Sequence, residues 1–271
     1  MREIDVLHQG TPRAICCYVI DDVIVDPGPE SSHHTLLAGL DGFVPRAILL
    51  THIHFDHAGA TGALCRLWPD AEVWVHERGA RHLADPSRLV ASALRIYGDE
   101  FARLWGEVVP VPQERMRVLT GGERQDGFRV EYTPGHASHH VAYLHEASGT
   151  AFTGDVAGVR IGDGPVLPPT PPPDIDLELW FASMEVVEAW RPERIAVTHF
   201  GAHDPAGHFD ALRERLRLWA DKARELDADG FQAWVRGEMH GNESYLDAMP
   251  PETLYAGLER YWAKRISSDH V

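Results

Sequence analysis

The chain has 271 residues, of which 44% are hydrophobic and 24% charged, with 25 basic against 41 acidic side chains and a formal net charge of −16. That length can bury the core of one layered α/β domain, and the composition is that of a soluble globular protein. The acidic excess repels polyanions at long range, which disfavours nucleic acid as the main partner, and no apolar run approaches membrane-spanning length, so no membrane partner is expected.

The N-terminus, Met1-Arg2-Glu3-Ile4-Asp5, lacks a signal-peptide core. Residues 4–8, 14–20 and 22–26 read as strands of a hairpin-rich sheet, with Asp21-Asp22 as a turn. Helix is predicted over 33–40, a buried strand over 45–50, helix over 60–68, strand over 72–76 and helix over 77–83. Cys16, Cys17 and Cys65 are odd in number and lack zinc-type spacing, so they read as buried free thiols, which fits a cytoplasmic location.

Between 86 and 113, Leu89, Ala93, Ile96, Tyr97, Phe101, Leu104 and Trp105 recur at helical spacing until Pro110-Val111-Pro112 ends the segment. Two readings stay open: a core helix, or a helical cap whose apolar face lines a pocket. A second strand-rich block follows at 116–119, 128–133, 141–145 and 150–153, with turn signals at Gly121-Gly122 and Asp126-Gly127. The proline-rich stretch 162–174 reads as an extended, stiff rim, because each proline fixes its own φ and restricts its neighbour.

Helix then dominates. Leu177, Phe181, Met184 and Val187 form one apolar stripe, Leu212, Leu216, Trp219 and Ala223 a second, and Leu254, Leu258, Tyr261 and Trp262 a third. Such stripes suit a core or a subunit face, so a homodimer through the C-terminal helices is one expectation. The division expected is a single domain over 1–271, with a cap insertion at 86–113 and a helical extension at 205–271.

The buried strand at 45–50 stops in Thr51-His52-Ile53-His54-Phe55-Asp56-His57. Imidazole and carboxylate suit zinc, iron and manganese, and four such groups on one turn exceed what a single ion needs from it. The pattern His-x-His-x-Asp-His after a buried strand resembles the metal-binding signature of the metallo-β-lactamase-fold hydrolases, a superfamily that includes glyoxalase II, lactonases, ribonuclease Z and the zinc β-lactamases. Thr133-Pro134-Gly135-His136 looks like its second ligand turn, with His140 at a further frequent histidine position. Thr153-Gly154-Asp155 looks like the strand end that supplies a carboxylate to both metals, and Val197-Thr198-His199 looks like the last ligand. Val23-Ile24-Val25-Asp26 looks like the strand whose aspartate supports the site from behind.

The resemblance implies a four-layer αββα sandwich, where periodicity alone gives only α/β. It assigns His52, His54 and His136 to one metal, Asp56, His57 and His199 to another, and Asp155 to both, with Asp56 and Asp155 as the catalytic carboxylates. Asp26 and His140 would orient ligands. Two divalent ions about 3.5–4 Å apart, zinc first with iron or manganese accepted by the same donors, would share a water and deliver hydroxide near neutral pH. The substrate expected is a small ester, thioester, lactone or phosphoester.

Tyr97, Phe101 and His203 are candidates for the substrate pocket. His208 is expected to face solvent and His76 to be structural, while His33, His34 and His139 have no paired spacing. Val156-Ala157-Gly158 lacks the threonine-leucine-phenylalanine continuation of glyoxalase II, and Gly158 stands where the acyl-homoserine lactonases carry tyrosine. Asp155 argues against the β-lactamases proper. Two other classes remain: an iron-dependent oxidoreductase of the same fold, persulfide dioxygenase-like, and a metal-stabilised binding protein without turnover.

Overall fold

The computed structural model describes residues 1–268. Its first sheet has six strands in spatial order β1 to β6: Arg2–Asp5, Cys16–Ile20, Val23–Val25, Ala47–Leu49, Glu72–His76 and Met116–Leu119. The first three are antiparallel, and β3 to β6 run parallel. The second sheet runs β12-β11-β10-β9-β8-β7, built from β7 Arg124–Gln125, β8 Phe128–Tyr132, β9 Val141–His145, β10 Thr150–Phe152, β11 Arg194–Val197 and β12 Gly201–His203. Only β10 and β11 are parallel there.

Side-chain alternation along a strand explains the layering. On β2, Cys16, Tyr18 and Ile20 join Trp74, Phe128, Tyr143 and Phe152 in a core between the two sheets. Cys17 and Val19 point the other way, into a core beneath α1 (His33–Leu40) and α3 (Thr61–Leu67) with Leu36, Leu40 and Leu64. The outer face of the second sheet, through Ala142, Ala151, Ile195 and Val197, is covered by α7 (Leu177–Ala189), α8 (His208–Glu225), α9 (Ala228–Glu238), α10 (Glu243–Ala248) and α11 (Pro251–Ser268). Helix, sheet, sheet and helix therefore stack as four layers.

Two expectations are corrected, and two short strands join those expected. Met116–Leu119 belongs to the first sheet, parallel to Glu72–His76, and not to the block that follows it in sequence. Arg124–Gln125 and Gly201–His203 are strands too short for a periodic signal. His208 is buried, with Nε2 donating to the Ala157 carbonyl at 2.8 Å, and does not face solvent. All three cysteines are free and buried. His76 is structural in role: its ring stacks on Tyr132 and its Nδ1 accepts from the Arg78 backbone at the start of α4 (Glu77–Ala84).

The segment after α4 folds as α5 (Ser87–Tyr97) and α6 (Phe101–Trp105). Ala93, Phe101 and Trp105 bury against Phe55 in an apolar cluster separate from the three large cores. That small cluster sits over the turn that follows β4. Among the described residues, no helix is long and apolar enough to cross a membrane.

Candidate metal centre

Each element of the site lies just past a strand's C-terminal end. Asp26 follows β3, residues 51–58 follow β4 and contain the one-turn helix α2 (Phe55–Ala58), His136 follows β8, Asp155 follows β10, and His199 follows β11. Strand ends converge at one edge of the sandwich, where buried backbone gives way to turns that can aim side chains inward.

The structure brings two ligand groups together: His52, His54 and His136, and Asp56, His57 and His199. In the first, His54 Nδ1 lies 2.9 Å from His52 Nε2 and 3.1 Å from His136 Nε2. In the second, His199 Nε2 is 3.3 Å from Asp56 Oδ2, and His57 Nε2 is 3.7 Å from the same oxygen. Asp155 stands between them. Its Oδ1 faces His57 Nε2 at 3.3 Å and His199 Nε2 at 3.6 Å, while Oδ2 faces His136 Nε2 at 3.2 Å.

In three of the rings the opposite nitrogen is held. His57 Nδ1 donates to Asp26 Oδ2 at 2.8 Å, His136 Nδ1 to the Pro169 carbonyl at 3.0 Å, and His199 Nδ1 to the Ala14 carbonyl at 2.6 Å. These bonds put the proton on Nδ1 and leave the Nε2 lone pair facing inward. Asp26 also accepts from the Thr51 amide and hydroxyl and from the Thr198 hydroxyl, all within 2.8 Å. His140 donates or accepts at Nδ1 with Thr133 Oγ1 at 2.8 Å, and its ring stacks on His52.

The donors fit divalent metal. His57 Nε2, His199 Nε2 and Asp155 Oδ1 are buried without a hydrogen-bond partner, although buried polar atoms are nearly always paired. Nitrogen and oxygen lone pairs aimed at shared points are what a cation would satisfy. Gly135 makes the second turn possible. Its φ of +130° is open to glycine alone, and a Cβ there would stand 2.3 Å from the Trp180 backbone of α7.

Electrostatics separates the two groups. Burial lowers His52 and His140 far below the ordinary imidazole value, lowers His136, and brings His54 to about 4. Burial would lower His57 and His199 as well, but Asp155 and Asp56 outweigh it, with Asp26 adding to the effect at His57, and both are raised. Burial pushes the Asp155 carboxyl up, yet His57, His136 and His199 hold it well below the usual carboxylate range.

A stability consequence follows for the chelated chain. His52, His54, His136, His139 and His140 are lowered in the fold but titrate near 6.5 when unfolded. Below that pH the unfolded chain binds more protons, so stability falls as pH drops below 6.5. The raised pair works the other way: its stabilisation is complete below 6.5 and is lost only as pH rises through the raised values. The melting temperature after chelation should therefore be lower at pH 5 than at pH 7 by circular dichroism; an equal or higher value would contradict the burial of five neutral imidazoles.

A cavity of about 770 Å³ opens onto His54, Asp56 and Asp155. Tyr97 lines it, as do Pro169 and Pro171–Pro173 of the proline-rich stretch. Two expected pocket residues do not reach it. Phe101 turns its ring onto Phe55 inside the cap cluster, and His203 bonds the carbonyls of Arg160 and Phe200 on β12. Sequence reasoning missed His139, which lines the cavity with Nδ1 accepting from the Ile53 amide. It also missed Arg78, Arg81 and Arg88, whose helical positions look like ordinary solvated charge until α4 and α5 are placed in space.

The sequence model of the Metallo-beta-lactamase superfamily matches residues 10–229. The metallo-beta-lactamase fold-containing protein ST1585 of Sulfurisphaera tokodaii is 31% identical over 203 residues, 72% of this chain and 74% of that one. The probable metallo-hydrolase YqgX of Bacillus subtilis is 33% identical over 54% of this chain and 67% of its own length. A hydroxyacylglutathione hydrolase of Xanthomonas euvesicatoria is 31% identical over 49% of this chain but only 40% of its own. Among solved structures, the archaeal superfamily protein ST1585 from Sulfolobus tokodaii aligns with a TM-score of 0.69 at 27% identity, covering 92% and 93% of the two chains. TTHA1623 in a di-iron-bound form aligns at 0.57 with 28% identity, covering 73% and 93%.

Proposed function

Since the chain belongs to the metallo-β-lactamase superfamily, we propose that it is a dinuclear metal-dependent hydrolase of a small ester, thioester, lactone or phosphoester. The observation that carries this is Asp155, whose two oxygens face two separate imidazole groups. His52, His54 and His136 would hold one ion, Asp56, His57 and His199 the other, and Asp155 both. Bound there, two divalent ions supply an activated water near neutral pH and positive charge against a developing oxyanion.

The chain's own part is orientation and proton handling. Asp26 and the carbonyls of Pro169 and Ala14 fix the rings that face inward. Asp56, whose side chain is 21% exposed on the cavity floor, is placed to hold a proton from the attacking water. The cap and the proline rim wall off the reacting bond from bulk solvent, which strengthens every charge interaction inside.

Zinc is the metal we assign. Iron and manganese suit the same donors, and the di-iron form of TTHA1623 keeps an iron-dependent oxidoreductase as the second reading. We also assign a cytoplasmic location, supported by the three free thiols, and a small-molecule substrate.

Elemental analysis of the purified protein, beside a panel of chromogenic esters, thioesters, lactones and phosphodiesters, tests the function. The expected result is about two metal ions per chain with turnover on at least one panel member, and a loss of both in His199→Ala. One iron per chain with a silent panel would transfer the assignment to the oxidoreductase.

A further inference from the structure

We propose that the cavity takes an amphiphilic anion: an acyl compound with an apolar body and a carboxylate or phosphate bound by Arg81 and Arg88. The proposal rests on the hydrolase reading for the place of the scissile bond, but the anion site stands on its own geometry. The face that α5 turns to the cavity begins at Arg88 and continues through Leu89, Ala93 and Ile96, positions that share one side of a helix. Arg81 lines the same cavity from α4, and His82 lies within range of both guanidinium groups. The lining thus has a cationic end at the α4–α5 junction and an apolar flank along α5. Ile96 keeps 53% of its surface exposed while lining the cavity, an apolar surface that a ligand's hydrocarbon would cover.

In a chain of net charge −16, several arginines pair with carboxylates, as in Arg103–Glu100, Arg117–Glu72 and Arg213–Glu188. Among the described residues, neither Arg81 nor Arg88 forms an ion pair. Arg81 Nε instead donates to His82 Nε2 at 3.2 Å, and the neighbouring Arg78 lies over the Tyr132 ring. Glu77, Asp174 and Asp247 also line the cavity, but Asp174 is taken by the amide and hydroxyl of Ser138. Guanidinium groups match carboxylate or phosphate oxygens in pairs, so the junction is where an anion would be read.

Calorimetric titration of the full-length, metal-loaded protein with octanoate, octyl phosphate and 1-octanol tests this. At least one of the two anions should bind about tenfold or more tightly than octanol. The double variant R81Q/R88Q, at two exposed positions, should bring that anion to octanol's affinity and leave octanol unchanged. The better of the two anions identifies the headgroup as carboxylate or phosphate. Equal affinity for all three would overturn the proposal, as would an anion preference that survives in the variant and so belongs to the metals. If the hydrolysis panel is silent while the arginine-dependent preference holds, the hydrolase reading falls and this one stands; turnover without the preference does the reverse.

Discussion

Asp155→Asn is expected to lower turnover at least about a thousandfold and to reduce bound metal from about two ions per chain to one or fewer. The physical reason is the direction of the two carboxylate oxygens. One lies 3.3 Å from His57 Nε2 and the other 3.2 Å from His136 Nε2, so a single neutral amide removes the negative charge that faces both groups. An amide nitrogen would also present N–H to a lone pair that should face metal. Asparagine has almost the same volume as aspartate, so the far-ultraviolet dichroism should be unchanged and the loss read as chemistry. Elemental analysis and ester hydrolysis on one preparation decide the matter. Two retained ions with turnover within tenfold of the parent would sink the assignment of Asp155 as the ligand shared by both metals.

Asp26→Ala should cost about 3–5 kcal/mol, a drop in melting temperature of roughly 10 °C for a chain of this size. Its buried carboxylate accepts four hydrogen bonds, and alanine would leave the Thr51 amide and hydroxyl, the Thr198 hydroxyl and His57 Nδ1 without an acceptor. Alanine also fits poorly at φ 48°, a left-handed conformation that aspartate and asparagine tolerate better. Asp26→Asn separates the two roles of the residue. It keeps the backbone conformation and an acceptor for Thr51, but places N–H where His57 needs an acceptor. Stability should fall less than in the alanine variant, while metal affinity falls about 10–100-fold. Melting curves with and without metal would distinguish them, and a smaller metal defect in Asn than in the parent's own error would show that Asp26 serves the fold alone.

The α5–α6 segment shows why the cap could not be resolved by pattern. Helical spacing of Leu89, Ala93, Phe101 and Trp105 is equally what a core helix and a pocket lid require. In the fold the same segment does both: Phe101 and Trp105 bury against Phe55, while Tyr97 and Ile96 line the cavity. Period says which residues share a face, and says nothing of what that face meets.

The ligand set was legible without coordinates through its resemblance to a family signature, whose pieces each follow a local apolar run where a strand must end in a turn. His52, His54, Asp56, His57, His136, Asp155 and His199 are all carried by such ends, and the exact matches at Glu72–His76 and Val141–His145 reflect the same local signal. Tertiary structure alone decided what depends on distant partners. It placed Met116–Leu119 beside β5, since a parallel partner is chosen by crossover packing and not by adjacent sequence. It buried His208 against Ala157 and turned His203 away from the cavity, because a lone histidine carries no periodicity to reveal its neighbours. It also put Arg81 and Arg88 on the lining of one cavity with His54, Asp56 and Asp155, a juxtaposition fixed by how α4 and α5 pack and invisible in either helix by itself.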